Sequence, residues 1–223
     1  MKKNHIVMIA VVLLALAFAA GGYFYKSQQI ETQAALAKQN HELLIKPYSP
    51  RAGNPDARVT IVEFMDPACE TCRAFYPLVK ELIVEHKGRV NHVIRYAPLH
   101  EGSDYVLKIL EASRKQGTYW SVLELMFVAQ PYWTSHHKAQ PEVLWKYLEH
   151  YKFDVVRLKQ DMNDPVIAKN IAQDLADSRQ LGVSKTPSYF VNGKPLIKFG
   201  YEELRALIDA EIANAYNISG EQQ

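Results

Sequence analysis

The 223 residues are 48% hydrophobic and 22% charged, with 10 Gly, 11 Pro and two Cys. That balance excludes a disordered or collagen-like chain and fits one globular domain with room for an elaboration. Two cysteines are too few for a disulfide scaffold or a four-cysteine zinc site, and a net charge of +2 speaks against nucleic acid as a partner.

The chain opens with Lys2 and Lys3, then Ile6–Tyr25, a run of 20 residues without a charge, then Lys26. A helix of that length reaches roughly 30 Å, one hydrocarbon core. It exceeds the ~7–15 residues of a secretory h-region. Residues 1–25 are therefore expected to be a signal anchor held in the inner membrane through residues 6–25. Ala17-Phe18-Ala19 is a small-x-small site that would make the segment a cleaved signal peptide instead. In both readings the rest of the chain is exported, to the periplasmic face of the membrane or to the soluble periplasm. Residues 26–58, polar at first and then rich in Pro47, Pro50, Gly53 and Pro55, read as a linker or stalk.

Val59–Phe64 is β-branched and almost wholly apolar, the pattern of a strand buried on both faces. Asp66-Pro67 breaks it and a helix begins near Cys69, with Leu78, Val79, Leu82 and Ile83 as its apolar face and Gly88 as its stop. Val90–Ala97 reads as a second strand, and a strand–helix–strand unit of this length implies parallel pairing. Residues 103–164 read as a helical insertion with its own aromatic core. Its helices span 106–113 (capped by Ser103), 119–129, 143–151 (opened by Pro141) and 155–162. Asp164-Pro165 caps a further helix ending at Gly182. Ser188–Val191, Asn192-Gly193 and Lys194–Lys198 form a hairpin signal, because Asn-Gly suits a type I′ turn. A helix from Tyr201 to Tyr216 closes the body, and 218–223 is a tail. The class is α/β.

Both cysteines lie in Cys69-Glu70-Thr71-Cys72, at the strand-to-helix junction. Positions i and i+3 share a helix face, so the sulfurs can reach bonding distance with little backbone movement. The unpaired N–H groups and dipole of a helix N-terminus stabilise a thiolate on Cys69, the reactive form. Cys72, one turn further in, is placed to resolve a mixed disulfide made by Cys69. An inert structural disulfide or half of a metal site are the competing readings. His86, His92 and His100 show no ligand spacing with the pair, and neither a metal nor a cofactor is expected.

Phe64–Cys72 followed by Pro77, with Thr186-Pro187 before the hairpin, resembles thioredoxin-fold proteins. The helical insertion resembles their DsbA-like branch of thiol:disulfide oxidoreductases, and the likeness covers about 59–217. It implies a thioredoxin fold whose two parts, 59–102 and 165–217, are interrupted by the helices of 103–164. It further implies a cis Pro187 facing the cysteines and a Thr186 backbone that pairs with an incoming peptide. Glu63, six residues before Cys69, matches a buried acid that assists proton transfer at the second cysteine. The dipeptide Glu70-Thr71 departs from the Pro-His of the strongest oxidants. Glu70 puts an anion near the thiolate, so Cys69 is expected to have a depressed pKa that stays above about 4. The function implied is exchange of the Cys69–Cys72 disulfide with thiols or disulfides of exported proteins, chiefly as an oxidase recharged by a redox partner in the membrane. An isomerase or reductase on the same fold, or a non-catalytic metal-binding thioredoxin-like module, are the alternatives.

Overall fold

A computed structural model describes Gly21 and residues 41–136 and 138–216. The anchor or signal run 6–25, apart from Gly21, lies outside the described residues, as do residues 26–40 of the stalk and the tail 218–223. Among the described residues no helix is long and apolar enough to cross a membrane. The elements below all belong to the compact unit that starts at Leu43.

Seven-residue strands β2 (Val59–Met65) and β3 (Val90–Tyr96) pair in parallel, joined by helix α1 (Glu70–Glu85). Their β-branched residues lie within the sheet interior, where pleated backbones accommodate them. On the far side of β2, β6 (Ser188–Val191) pairs antiparallel and is followed by the two-residue β7 (Lys194–Pro195). Asn192 and Gly193 both adopt positive φ, 49° and 82°, as the type I′ turn requires. The expected return strand to Lys198 is shorter: β7 ends at Pro195, and one further bond, from the Leu196 N–H to the Tyr189 carbonyl at 2.9 Å, follows it. Asn192 is also tied to β2, its side-chain oxygen accepting from the Thr60 N–H at 2.9 Å.

The sheet order is β1-β3-β2-β6-β7, with β1 (Arg51–Gly53) antiparallel to β3. This edge strand lies inside the stretch expected to be linker, so the stalk ends earlier than residue 58. Its three residues carry no alternating pattern, and Gly53 sits at φ 84° where an added Cβ would meet the Val90 carbonyl at 2.6 Å. Leu44, buried with Val62, Phe64, Val93 and Phe190, likewise belongs to the body.

The insertion comprises α2 (Ser103–Arg114), α3 (Tyr119–Trp133), α4 (Pro141–His150) and α5 (Val155–Asp161). A two-residue ribbon of β4 (Thr134–Ser135) and β5 (Lys138–Ala139) lies between α3 and α4. It has no separate core: Leu110, Leu123, Met126 and Trp133 pack in one cluster with Met65, Ile94, Cys69 and Cys72. The third helix runs four residues past its expected end, through Pro131, because Trp133 is fully buried and its indole N–H donates to the Met126 carbonyl at 2.7 Å. Helix α6 (Pro165–Gln180) starts where Asp164 accepts from the Val166 N–H at 2.9 Å. The closing helix α7 (Tyr201–Tyr216) buries Leu204, Ile208 and Ile212 against Val59 and Ile61 of β2 and Val79 and Leu82 of α1.

Candidate active site

Asp66 ends β2 and organises the loop that carries the cysteines. Fully buried, its carboxylate accepts from the N–H groups of Ala68 (2.8 Å), Leu99 (2.9 Å) and His100 (3.1 Å). It also accepts from His100 Nδ1 at 2.7 Å and Ser103 Oγ at 2.6 Å. Five donors compensate its desolvation, as a buried carboxylate requires. Ser103 is thereby spent on Asp66. It is the first residue of α2 rather than its cap, and Gly102, in a left-handed conformation at φ 80°, holds the cap position.

The Asp66 carbonyl accepts from the Cys69 N–H at 3.0 Å. Cys69 stands as the N-cap of α1, with extended backbone (φ −77°, ψ 120°), one position before the first turn where sequence placed it. From α3, Gln130 donates to the carbonyls of Pro67 (2.7 Å) and Cys69 (3.0 Å), satisfying two buried loop acceptors. Glu70 and Thr71 are exposed at the start of the helix.

The two thiols are unequal. Cys69 keeps 5% of its surface and its pKa is lowered to about 6. Hydrogen bonding from Cys72 is the largest cause. Burial opposes it, and the Thr186 side chain and the N–H groups of Cys72 and Thr71 add to the lowering. Cys72 has no exposed surface, and burial, then the bond to Cys69 and the charges of Cys69 and Glu63, hold its proton well above the usual thiol range. The depressed Cys69 pKa matches expectation. The carboxylate of Glu70 is not among its leading influences, because it points from an exposed position.

The Thr186–Pro187 bond is cis, and the Cys69 thiol donates to the Thr186 carbonyl at 3.2 Å. The loop before β6 therefore lies directly against the outer sulfur. The Thr186 hydroxyl is buried in the same place, and its side chain favours the Cys69 thiolate.

Glu63 is buried in β2 and accepts from His92 Nε2 of β3 at 2.9 Å and from the Tyr189 hydroxyl of β6 at 3.2 Å. Parallel register pairs Glu63 with Ile94, so His92, two residues earlier, lies on the same sheet face. The burial of Glu63 agrees with the buried acid expected there. His92, Tyr189, Gln130 and His100 were not singled out as site residues from sequence. The first two could have been found from register, whereas Gln130 and His100 arrive from distant segments with no spacing signal. The pKa of His100 is raised, first by its bond to Asp66, against burial, then by the charges of Asp66, Cys69 and Glu70, which places it in the field of the thiolate. Among the described residues no group of three or more His, Cys, Asp or Glu is arranged to hold a metal ion.

A family model described as thioredoxin matches residues 46–210. Over 172 residues the chain is 26% identical to the disulfide bond formation protein D of Bacillus subtilis, covering 73% of this chain and 77% of that one. It is 32% identical over 145 residues to the Na(+)/H(+) antiporter NhaA 3 of Salinispora tropica, covering 64% of this chain. The chain spans about a fifth (21%) of the length of that antiporter. A crystal structure of a thioredoxin-like oxidoreductase from Silicibacter pomeroyi superposes with a TM-score of 0.65 at 29% identity, over 78% of this chain and 96% of that one.

Proposed function

This chain belongs to the thioredoxin family, in the DsbA-like form whose fold is interrupted by helices, and on that premise we propose that it is an exported dithiol–disulfide oxidoreductase acting chiefly as an oxidase. The observation that carries the proposal is the asymmetry of the thiols: a Cys69 that ionises near pH 6 beside a Cys72 that keeps its proton. The reaction runs from the Cys69–Cys72 disulfide. A substrate thiolate attacks Cys69 Sγ; the new S–S bond joins substrate to Cys69, and the electron pair of the old bond passes to Cys72, which takes a proton. A second substrate thiolate then attacks the substrate sulfur and expels Cys69. The substrate leaves oxidised by two electrons and the protein holds them as a Cys69 thiolate and a Cys72 thiol. A thiolate stabilised at Cys69 favours its departure.

Thr186 and Pro187 form the edge on which the substrate peptide lies, the Thr186 backbone pairing with it as an added strand. Glu63 exchanges the proton of Cys72, while Glu70 and Thr71 shape the entrance. The apolar run at 6–25 anchors the protein in the inner membrane, or directs its export and is removed. Its length between Lys3 and Lys26 supports the anchor. A membrane-bound oxidant restores the disulfide after each turnover.

Incubation of the pre-oxidised full chain with reduced, unfolded ribonuclease tests the direction. One substrate disulfide per protein is expected, with Cys72→Ala accumulating the mixed disulfide. Repair of scrambled ribonuclease without net oxidation would establish isomerisation instead. A Cys69 pKa between those of DsbA and thioredoxin places the expected reduction potential between about −120 and −270 mV.

A further inference from the structure

Cys72 has no exposed surface, so each opening or closing of the disulfide moves a proton into or out of the protein interior. Glu63 can exchange it, but Glu63 is itself buried and needs an outlet. Of its two partners, Tyr189 is a dead end: fully buried, its hydroxyl is pushed far above the usual range, first by burial and then by the Glu63 charge. The other partner, His92, is an imidazole, whose two ring nitrogens can take up a proton on one side and release one on the other.

His92 also lines a cavity of about 210 Å³ enclosed by Ala52 of β1, Lys80 of α1, and Trp120 and Glu124 of α3. Lys80 and Glu124, whose side chains are 52% and 57% exposed, pair across 3.4 Å at its rim, so the cavity reaches the surface. None of its lining residues is Cys69, Thr186 or Pro187. The ionisable groups about His92 are Glu63 on β2, Tyr189 on β6, Cys72, Tyr76 and Lys80 on α1, and Glu124 on α3. The neighbouring residue of β1, Ala52, carries no charge.

We propose that His92 is the proton outlet of Cys72, connecting Glu63 to the surface-open cavity between β1, α1 and α3. This rests on the oxidoreductase reading above. When the Cys69–Cys72 bond opens, the electron pair left on Cys72 is protonated from Glu63. His92 replaces that proton, and the cavity reprotonates His92. When the bond re-forms the proton leaves by the same groups in reverse. The route stays open while a substrate peptide covers Cys69 and the cis-proline loop, because it emerges elsewhere. His92 acts through Glu63 and is therefore a positioning residue, not one that touches substrate.

The test is the rate at which dithiothreitol opens the disulfide of the oxidised full chain, followed by stopped-flow fluorescence from pH 5 to 8. His92→Gln keeps an N–H for Glu63 but carries no proton. About a tenfold slowing is expected across this pH range. Ala52→Met fills the cavity without touching the Glu63–His92 bond and should slow the reaction in the same way. The rate of Cys69 alkylation in each reduced variant is the internal reference. Parental rates and pH profiles in His92→Gln overturn the proposal. So does an effect in His92→Gln with none in Ala52→Met, because the cavity is then not the route. If the parent chain itself does not exchange with dithiothreitol, the oxidoreductase reading fails. If the parent exchanges and the variants match it, only the outlet fails.

Discussion

Two buried acid clusters sit on opposite faces of the same strand pair. On one face, Glu63 is bonded to the His92 imidazole and the Tyr189 phenol. On the other, Arg95 lies fully buried between Asp174 (2.8 Å) and Asp177 (2.6 Å). Asp174 also accepts from the Tyr48 hydroxyl at 2.7 Å and the Tyr96 N–H at 3.0 Å, and Lys46 reaches Asp177 at 3.1 Å. Residues 92 and 95 of β3 differ by an odd number, so alternation sends them to different faces. A guanidinium cannot surrender its proton, whereas an imidazole can do so near neutral pH. The cluster assigned to proton exchange contains an imidazole able to pass a proton on. The one that only ties β3, α6 and residues 43–48 together is built around a fixed charge.

The largest expected effect breaks the fixed cluster. Arg95→Met leaves Asp174 buried without its cation and Asp177 with Lys46 alone, which costs about 3–5 kcal/mol. The burial that already raises the Asp174 pKa would then go unopposed by Arg95, so the variant should unfold at markedly lower urea and regain stability in acid as Asp174 protonates. Below its unfolding midpoint it should still exchange disulfides. Glu63→Gln should show the reverse profile. The amide keeps hydrogen bonds to His92 and Tyr189, so stability changes by about 1 kcal/mol or less, while disulfide opening slows by about 100-fold. Urea titrations and dithiothreitol kinetics on both variants decide it. A Glu63→Gln loss of stability equal to that of Arg95→Met would erase the distinction.

Periodicity made the scaffold legible. The parallel pair, the Asn-Gly hairpin and the helices opened by Pro141 and Asp164-Pro165 all follow local rules of spacing and capping that a single segment contains. The same is true of Cys69 and Cys72, which are close in sequence. What stayed hidden depends on distant segments. Gln130 reaches the Cys69 carbonyl from α3, and Ser103 gives its hydroxyl to Asp66 instead of capping its own helix. Three-residue β1 is strand only because β3 offers it an edge. The helical insertion looked self-contained because its aromatic content suffices for a core. Its apolar faces in fact continue into the cluster that buries Cys72.

The smallest expected effect concerns Cys69, whose titration couples the active site to the stability of the reduced protein. Its native pKa of about 6 lies below the ordinary 9 of an unfolded cysteine. Between those values the unfolded chain binds a proton that the native protein does not, so stability of the dithiol form rises with pH through this window. It is lost as pH falls through 6. From pH 6 to 7 the ideal gain is about 1 kcal/mol, because Cys69 is already half ionised at the start of the window, and partial solvent access reduces it further. Cys72, with its pKa raised, stays protonated in both states over this range and adds no slope. The urea midpoint of the reduced protein should therefore climb relative to that of Cys69→Ser between pH 6 and 8, whereas a parallel course would mean that the thiolate is not stabilised. Stabilising the dithiol makes the disulfide the stronger oxidant, by about 20 mV for each kcal/mol. The same electrostatics that activates Cys69 thus biases the protein towards giving its disulfide away.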